Sequence, residues 1–198
     1  MRSTAATAGK ISPNQAEKRQ QIIEAAKDVL AREGLAKCTT RAIADASPLT
    51  KSAIHYYFTD LDDIIDQAME SHISAFTERI RAAAAREDDP FERLWAAASE
   101  YLTIFTEIPA ALALWYEYWV DAVRRQRPAP AEAMFATITG IFTSLLAELG
   151  VSQPELRGPA LTSFLVGAVT QQAVAPRPVA DIRAQFTMLC RGESAVGA

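Results

Sequence analysis

Residues 39–58 constrain the fold of this chain more than any other stretch, because they predict two very short helices joined by a tight turn. Thr39 is a favourable N-cap for the first helix. Ser47-Pro48 ends that helix, because proline disfavours helical geometry in the residue before it. Thr50 can cap the second helix. The apolar positions predicted to be buried beneath that second helix are Leu49, Ile54 and Phe58.

The exposed side of the second helix is predicted to carry small, hydroxyl-bearing, basic and aromatic residues, and no acidic one. These residues are Lys51, Ser52, Ala53, His55, Tyr56 and Tyr57. A helix that enters a DNA groove needs such a face, since short residues allow close approach and donors meet phosphates and base edges. An ordinary helical hairpin with a polar surface is the structural alternative.

A series of anchors follows in order between Lys18 and Ile65. They are Ile22-Ile23-Glu24-Ala25-Ala26, Gly34, Thr39-Thr40-Arg41-Ala42-Ile43-Ala44, Ala46, and Leu49 to Phe58. In this order they resemble the DNA-binding region of the tetracycline-repressor (TetR) family of bacterial regulators. The resemblance implies a three-helix, helix-turn-helix head on a helical body that binds a ligand and dimerises.

The resemblance and the residue types together nominate ten DNA-binding residues: Thr39, Thr40, Arg41, Thr50, Lys51, Ser52, Ala53, His55, Tyr56 and Tyr57. Within this set, the contacts expected mainly with phosphates are those of Thr39, Arg41, Lys51, Tyr56 and Tyr57. Ser52, Ala53 and His55 are expected to meet base edges.

Three positions depart from the family's usual pattern. Ser47-Pro48 stands where the family has a single Gly, His55 where it has Tyr, and Leu61 where it commonly has a phosphate-binding Lys. These departures motivate an alternative function, a ligand-binding helical dimer whose DNA binding is weakened or lost.

The net charge of −4 is unevenly divided along the chain. Residues 1–58 hold 9 Lys and Arg against 5 Asp and Glu, whereas residues 59–198 hold 11 against 19. The two segments therefore carry +4 and −8, which is the distribution expected of a protein that presents one end to phosphates. Chance asymmetry is the alternative explanation.

The bulk sequence predicts a cytoplasmic protein without cofactor or metal. Residues 1–14 lack the apolar core of a secretory signal, and no apolar run approaches the length of a membrane span. Cys38 and Cys190 form no CxxC pair, so neither a disulfide framework nor a zinc cluster is implied. No nucleophile–base arrangement or phosphate loop is present either, which argues against an enzyme.

Apolar periodicity near 3.6 residues predicts an all-α chain of about nine helices. The expected organisation is a disordered leader at 1–15, a helix-turn-helix DNA-binding domain at 16–60, a ligand-binding and dimerisation domain at 61–191, and a frayed tail at 192–198. The first helix is predicted from Ala16 to Glu33, and a long helix from Leu61 to Arg86 would connect head and body. The last two long helices are expected to form the homodimer interface, as the resemblance implies.

A second informative segment, Leu112 to Asp121, places four large aromatic residues and two carboxylates on one helix. Such a helix must be covered almost all round, and its carboxylates need partners. The predicted ligand pocket comprises Trp95, Tyr101, Trp115, Tyr116, Glu117, Trp119, Phe142, Phe164 and Gln171. Core packing, with Arg124, Arg125 or an arginine of another helix neutralising the carboxylates, is the alternative.

The segment resembles, more weakly, the corresponding helix of choline- and betaine-linked regulators within the same family. Aromatic rings beside carboxylates would suit an organic cation through cation–π attraction. The function that these features predict is a homodimeric DNA-binding repressor, which a small-molecule effector releases from a double-stranded operator.

Overall fold

The computed structural model of the protein describes residues 12–190, and these contain nine α-helices, one turn of 3-10 helix and no strand. The predicted all-α fold is confirmed. The predicted tail at 192–198 and most of the predicted leader lie outside the described residues. The elements are α1 Pro13–Glu33, the 3-10 turn Leu35–Lys37, α2 Thr40–Asp45, α3 Lys51–Tyr57, α4 Leu61–Ala84, α5 Pro90–Glu107, α6 Pro109–Arg124, α7 Ala129–Glu148, α8 Pro154–Val174 and α9 Val179–Cys190.

Helix α1 begins earlier than the predicted Ala16, because a capping box starts it. The Ser12 hydroxyl accepts a hydrogen bond from the Gln15 backbone N–H, and the Gln15 side chain accepts one from the Ser12 N–H. Pro13 occupies the first helical position, where its missing N–H costs nothing. The helix ends at Glu33 as predicted, and Gly34 follows it with φ 80°.

The chain divides into two compact units, Met1–Met69 and Glu70–Ala198, so the first turns of α4 belong to the first unit. The core of the first unit lies between α1, α2 and α3. Its fully buried side chains include Ile22, Leu30, Ile43 and Ile54. Helices of six and seven residues are unstable alone, so α2 and α3 depend on this packing against α1.

The second unit is built around the pair α7 and α8, which pack more extensively than any other two described helices. Gly158 of α8 permits a very close approach to α7. A Cβ atom at Gly158 would lie 2.0 Å from the Thr143 Oγ1 and 3.2 Å from the Thr143 Cα. Fully buried Phe142, Leu165 and Phe186 fill the interior around this pair.

Helix α7, Ala129–Glu148, is long and apolar enough to cross a membrane by length and composition. This corrects the expectation that no apolar run approaches that length. The helix also packs against α5, α6 and α8, and its buried residues include Met134, Ile138 and Leu146. The core helix of a globular protein passes the same test, so the finding is weak evidence for a membrane span.

Candidate DNA-binding face and effector site

Helix α3 leaves its predicted recognition face open to solvent. Lys51, Ser52 and His55 are exposed, and Tyr56 is 73 % exposed. Ala53 and Tyr57 are half-buried, while Ile54 and Phe58 are buried beneath them. The nominated face therefore carries basic, hydroxyl and aromatic groups and no carboxylate, which is what approach to a phosphate backbone requires.

Threonine hydroxyls cap both short helices, as predicted. The Thr39 Oγ1 accepts a hydrogen bond of 3.1 Å from the Ala42 N–H, and the Thr50 Oγ1 accepts one of 3.2 Å from the Ala53 N–H. In each case the hydroxyl acts as the acceptor, so its own hydrogen stays available to donate. Both threonines are exposed. Each cap can therefore hold its helix and still donate to a phosphate oxygen.

Helix α2 adds a cation to the same region. The Arg41 side chain is 87 % exposed, and its Nε lies 3.9 Å from the Asp45 Oδ2, while Thr40 is half-buried. An ion pair so exposed contributes little to stability. Arg41 is therefore free to exchange this carboxylate for a phosphate.

Two of the three departures from the family pattern have a clear local setting in the structure. The Ser47 Oγ accepts a hydrogen bond of 3.2 Å from the Leu49 N–H, so the turn between α2 and α3 is closed by its own side chain. Leu61 is half-buried in the first turn of α4 and offers no charge to a phosphate.

Sequence reasoning missed Arg19, which holds the C-terminal end of α3. Its Nη1 donates a hydrogen bond of 2.5 Å to the Tyr57 carbonyl, and its guanidinium lies 3.9 Å from the centre of the Phe58 ring. Its Nη2 is also 4.0 Å from the Asp63 Oδ2. The partner atom is a backbone carbonyl 38 positions away, which no sequence pattern marks. A cation at a helix C-terminus donates a hydrogen bond to a carbonyl that has no partner within the helix. It is also attracted by the negative end of the helix dipole.

Five residues of the predicted pocket join one aromatic cluster in the body. Ring contacts link Phe142 to Tyr101 and Trp115 to Trp119, and Phe76 connects the two pairs. Tyr116 joins the cluster through Trp119 and through a hydrogen bond of 2.5 Å between its hydroxyl and that of Thr170. Phe135 covers Trp119 with ring centres 4.4 Å apart. These rings pack against one another and form part of the hydrophobic core of the body.

The remaining predicted pocket residues lie elsewhere. Trp95 packs on Phe186 and beneath the Arg183 guanidinium, so it belongs to a separate contact between α5 and α9. Gln171 is exposed and accepts a hydrogen bond from Arg177. Phe164 lies half-buried on α8, outside the ring contacts of the described residues. Trp95 and Gln171 therefore lie apart from the aromatic cluster, and the nine-residue ligand pocket stays a prediction.

The carboxylates of α6 are accounted for without a cationic ligand. Asp121 forms an ion pair of 2.8 Å with Arg125, one turn later on the same helix, and Glu117 is exposed. Burial raises the pKa of the Tyr101 hydroxyl, with Tyr116 adding to the shift, so Tyr101 stays neutral. The buried part of the cluster therefore presents no negative charge to a cation.

One polar atom in the cluster has no partner among the described residues. The Trp119 Nε1 is buried and finds no hydrogen-bond acceptor. A buried donor left unpaired costs about 1–3 kcal/mol. This end of the aromatic cluster is therefore the point at which an acceptor atom of a ligand would be stabilised.

A cavity of about 230 Å³ lies between α5, α6 and α8. Its lining is mainly apolar and comprises Leu102, Phe105, Thr106, Pro109, Leu112, Val169, Gln172 and Ala173. It meets the aromatic cluster at Phe105, which contacts Phe76 and Tyr101. None of the predicted pocket residues lines this cavity. Its position depends on how α5, α6 and α8 pack, and the aromatic residues of α6 do not indicate it.

Both cysteines are free and buried. Burial raises the pKa of the Cys38 thiol to about 11 and that of the Cys190 thiol to about 12. Thiolates are the reactive form, so both residues are inert at neutral pH. The described residues also contain no group of His, Cys, Asp and Glu side chains suited to a metal ion.

Comparison with known proteins places this architecture in a defined class. Residues 22–68 match the family model described as "Bacterial regulatory proteins, tetR family". The uncharacterized HTH-type transcriptional regulator YfiR of Bacillus subtilis (strain 168) is 26 % identical over 155 residues, which cover 75 % of this chain and 73 % of YfiR. Residues 22–68 are therefore a helix-turn-helix domain of the TetR type, and the chain as a whole is similar to transcriptional regulators of that family.

Solved structures show the same fold over nearly the whole chain. The transcriptional regulator SCO7518 from Streptomyces coelicolor A3(2) aligns with a TM-score of 0.75 at 18 % identity, covering 88 % of this chain and 98 % of its own. A transcriptional regulator from Saccharomonospora viridis, solved in complex with choline, aligns with a TM-score of 0.65 at 20 % identity. It covers 90 % of this chain and 97 % of its own.

Proposed function

We propose that the protein is a homodimeric repressor, acting in the cytoplasm, which a small-molecule effector releases from its operator. The observation that carries the proposal is the solvent-exposed, carboxylate-free face of α3. Lys51, Tyr56, Ser52 and His55 are exposed on this face; the proposed contacts of Lys51 and Tyr56 are with phosphates, and those of Ser52 and His55 with base edges. The +4 charge of residues 1–58 supports attraction of this end to DNA.

Exposed apolar side chains on α8 and α9 support dimerisation through these helices. The exposed fractions are 69 % for Leu156, 84 % for Val174, 53 % for Val179, 72 % for Met188 and 43 % for Leu189. Large apolar groups exposed in numbers on two consecutive helices mark an interaction surface. A two-fold dimer would present two α3 helices to half-sites one DNA turn, or a multiple of it, apart.

The cavity between α5, α6 and α8 is the proposed effector site. Its apolar lining, with Thr106 and Gln172 as the polar groups and no carboxylate, favours a small neutral ligand over an organic cation. Choline and 3,3-dimethyl-1-butanol, its neutral isostere, form a matched pair for calorimetry. We expect the alcohol to bind more tightly. Binding of choline alone would contradict a neutral effector and restore the cationic one.

Release follows from linkage between the two sites. An effector weakens DNA binding only if it binds the DNA-incompatible state more tightly than the DNA-bound state, and a coupling of about 1–3 kcal/mol is typical. Helix α4 has residues in both compact units, so a ligand-dependent change in its position is the proposed route of coupling.

Gel-shift titration of the DNA upstream of the protein's own gene tests the function. We expect sequence-specific, salt-sensitive retardation by the wild-type protein. Lys51→Ala should weaken binding across sequences and lower the salt slope by about one, because one phosphate contact is lost.

The matched control is Arg124→Ala, which removes an exposed cation from the last turn of α6. It should leave both affinity and salt slope unchanged. Sedimentation velocity on the same samples should show a dimer. No retardation by a folded dimer would favour the alternative of a ligand-binding protein that has lost DNA function, and an unchanged salt slope in Lys51→Ala would remove that residue's phosphate role.

A further inference from the structure

An open groove of about 510 Å³ runs between α4, α5 and α7. Its lining residues are Arg81, Ala84, Arg93, Ala136, Thr137, Gly140, Ile141, Ser144, Leu145 and Glu148. None of them belongs to the aromatic cluster or to the proposed effector cavity. A volume of this size is in the range of small-molecule sites, which is roughly 300–1,000 Å³.

The charged groups in the groove leave it with an excess of one positive charge. Glu148 is the single carboxylate in the lining, and its Oε2 lies 3.2 Å from the Arg93 Nη2. Arg81 makes a hydrogen bond of 3.5 Å to the Thr77 hydroxyl and has no carboxylate partner within the described residues. One guanidinium is therefore paired and the other is open to an anion.

Arg93 also has a hydrogen-bond donor that lacks an acceptor. Its Nε is buried and has no hydrogen-bond acceptor in the part of the chain that the structure describes. Glu148 engages only the outer end of the guanidinium. A guanidinium presents its donors as a planar fork that matches the two oxygens of a carboxylate. Among the described residues, the groove thus contains an N–H donor without an acceptor, at the Arg93 Nε, and a guanidinium without a carboxylate partner, at Arg81.

The floor of the groove is apolar and has space above it. Ala84, Ile141 and Leu145 line it, and a Cβ added at Gly140 would meet nothing within 4 Å. The Ser144 hydroxyl donates to the Gly140 carbonyl at 2.9 Å, so its hydrogen is already used within α7. This surface can cover a hydrocarbon or aromatic body without leaving donors unsatisfied.

We propose that this groove is a second ligand site, which binds an organic monoanion with its carboxylate at Arg81 and Arg93 and its apolar body along α7. It shares only α5 with the effector cavity and differs from it in lining residues and in charge. The proposal concerns binding to the body and holds whether or not the protein represses transcription.

Calorimetry on the full chain with 4-phenylbutyrate, and with the neutral 4-phenylbutanamide as its partner, tests the site. We expect the anion to bind and the amide to bind at least tenfold more weakly. Arg81→Gln should weaken binding of the anion by roughly tenfold, the worth of one charge-assisted hydrogen bond. Glu148→Gln should strengthen it by about threefold, because the competing carboxylate is removed. A loss of structure would not produce shifts of opposite sign.

One further variant and two controls locate the ligand. Gly140→Leu should abolish binding by filling the open space, whereas Ala133→Leu places a leucine at an exposed position of α7 outside the lining and should leave binding unchanged. Arg86→Gln removes an exposed arginine beyond the end of α4 and should change nothing. Equal affinities for anion and amide, no binding of the anion at millimolar concentration, or binding unaffected by both Arg81→Gln and Gly140→Leu would each overturn the proposal.

Discussion

Replacing Gly158 with alanine is expected to lower the free energy of unfolding of the body by about 1–3 kcal/mol, the usual cost of overpacking. The new methyl group would lie 2.0 Å from the Thr143 Oγ1 and 3.0 Å from its Cβ. Rotation of the hydroxyl removes the first contact. The contacts with the Thr143 Cβ, at 3.0 Å, and with the Thr143 Cα, at 3.2 Å, can be relieved only if α7 and α8 separate. Alanine's higher helix propensity, worth about 1 kcal/mol, offsets part of this cost.

Urea unfolding followed by tryptophan fluorescence measures this effect, because all three tryptophans lie in the second unit. Gly140→Ala is the matched control, since nothing lies within 4 Å of its new methyl group, and it should stabilise the body by up to about 1 kcal/mol. A Gly158→Ala protein as stable as the wild type would show that the two helices can move apart without cost.

Arg19→Met is expected to weaken operator binding by about tenfold and to destabilise the head by about 1.5–3 kcal/mol, the range for a hydrogen bond to a charged group. Methionine keeps the packing of the side-chain stem but loses the bond to the Tyr57 carbonyl and the contact with Phe58. The last turn of the seven-residue α3 would then fray, and the side chains near it would no longer be held in position.

The salt dependence of binding separates this positioning role from a direct phosphate contact. If Arg19 acts through α3, the affinity should fall while the salt slope stays near the wild-type value, in contrast to Lys51→Ala. Arg32→Met is the control, because Arg32 lies on the same helix with a side chain 66 % exposed. A drop of one in the slope would mean that Arg19 itself holds a phosphate, and affinity within twofold of wild type would remove its role.

The features that the sequence predicted correctly are those fixed by neighbouring residues. Thr39 and Thr50 cap helices within three residues of themselves, and Gly34 ends α1 by its own backbone preference. Helix α1 starts at Pro13 and not at the predicted Ala16, because Ser12 and Gln15 form a capping box within a segment whose composition favours a disordered leader.

The features that the sequence did not predict depend on contacts between distant residues. Nothing near Arg19 marks its partner on α3, and nothing near Gly158 shows that it meets Thr143 of α7. The aromatic richness of α6 predicted a cavity, whereas Trp115 and Trp119 fill their own surroundings. A cavity forms where side chains of neighbouring helices do not meet, and its position depends on how all of these helices pack together.

At Thr39 and Thr50 a single oxygen serves both folding and the proposed contact with the duplex. An aspartate at either position would satisfy the same backbone N–H and suit the helix dipole, yet it would bring a negative charge towards phosphate. A valine would keep the shape and lose both interactions. A substitution at either position can therefore separate the stability of the head from its affinity for DNA in one way only: the head stays folded and DNA repels it.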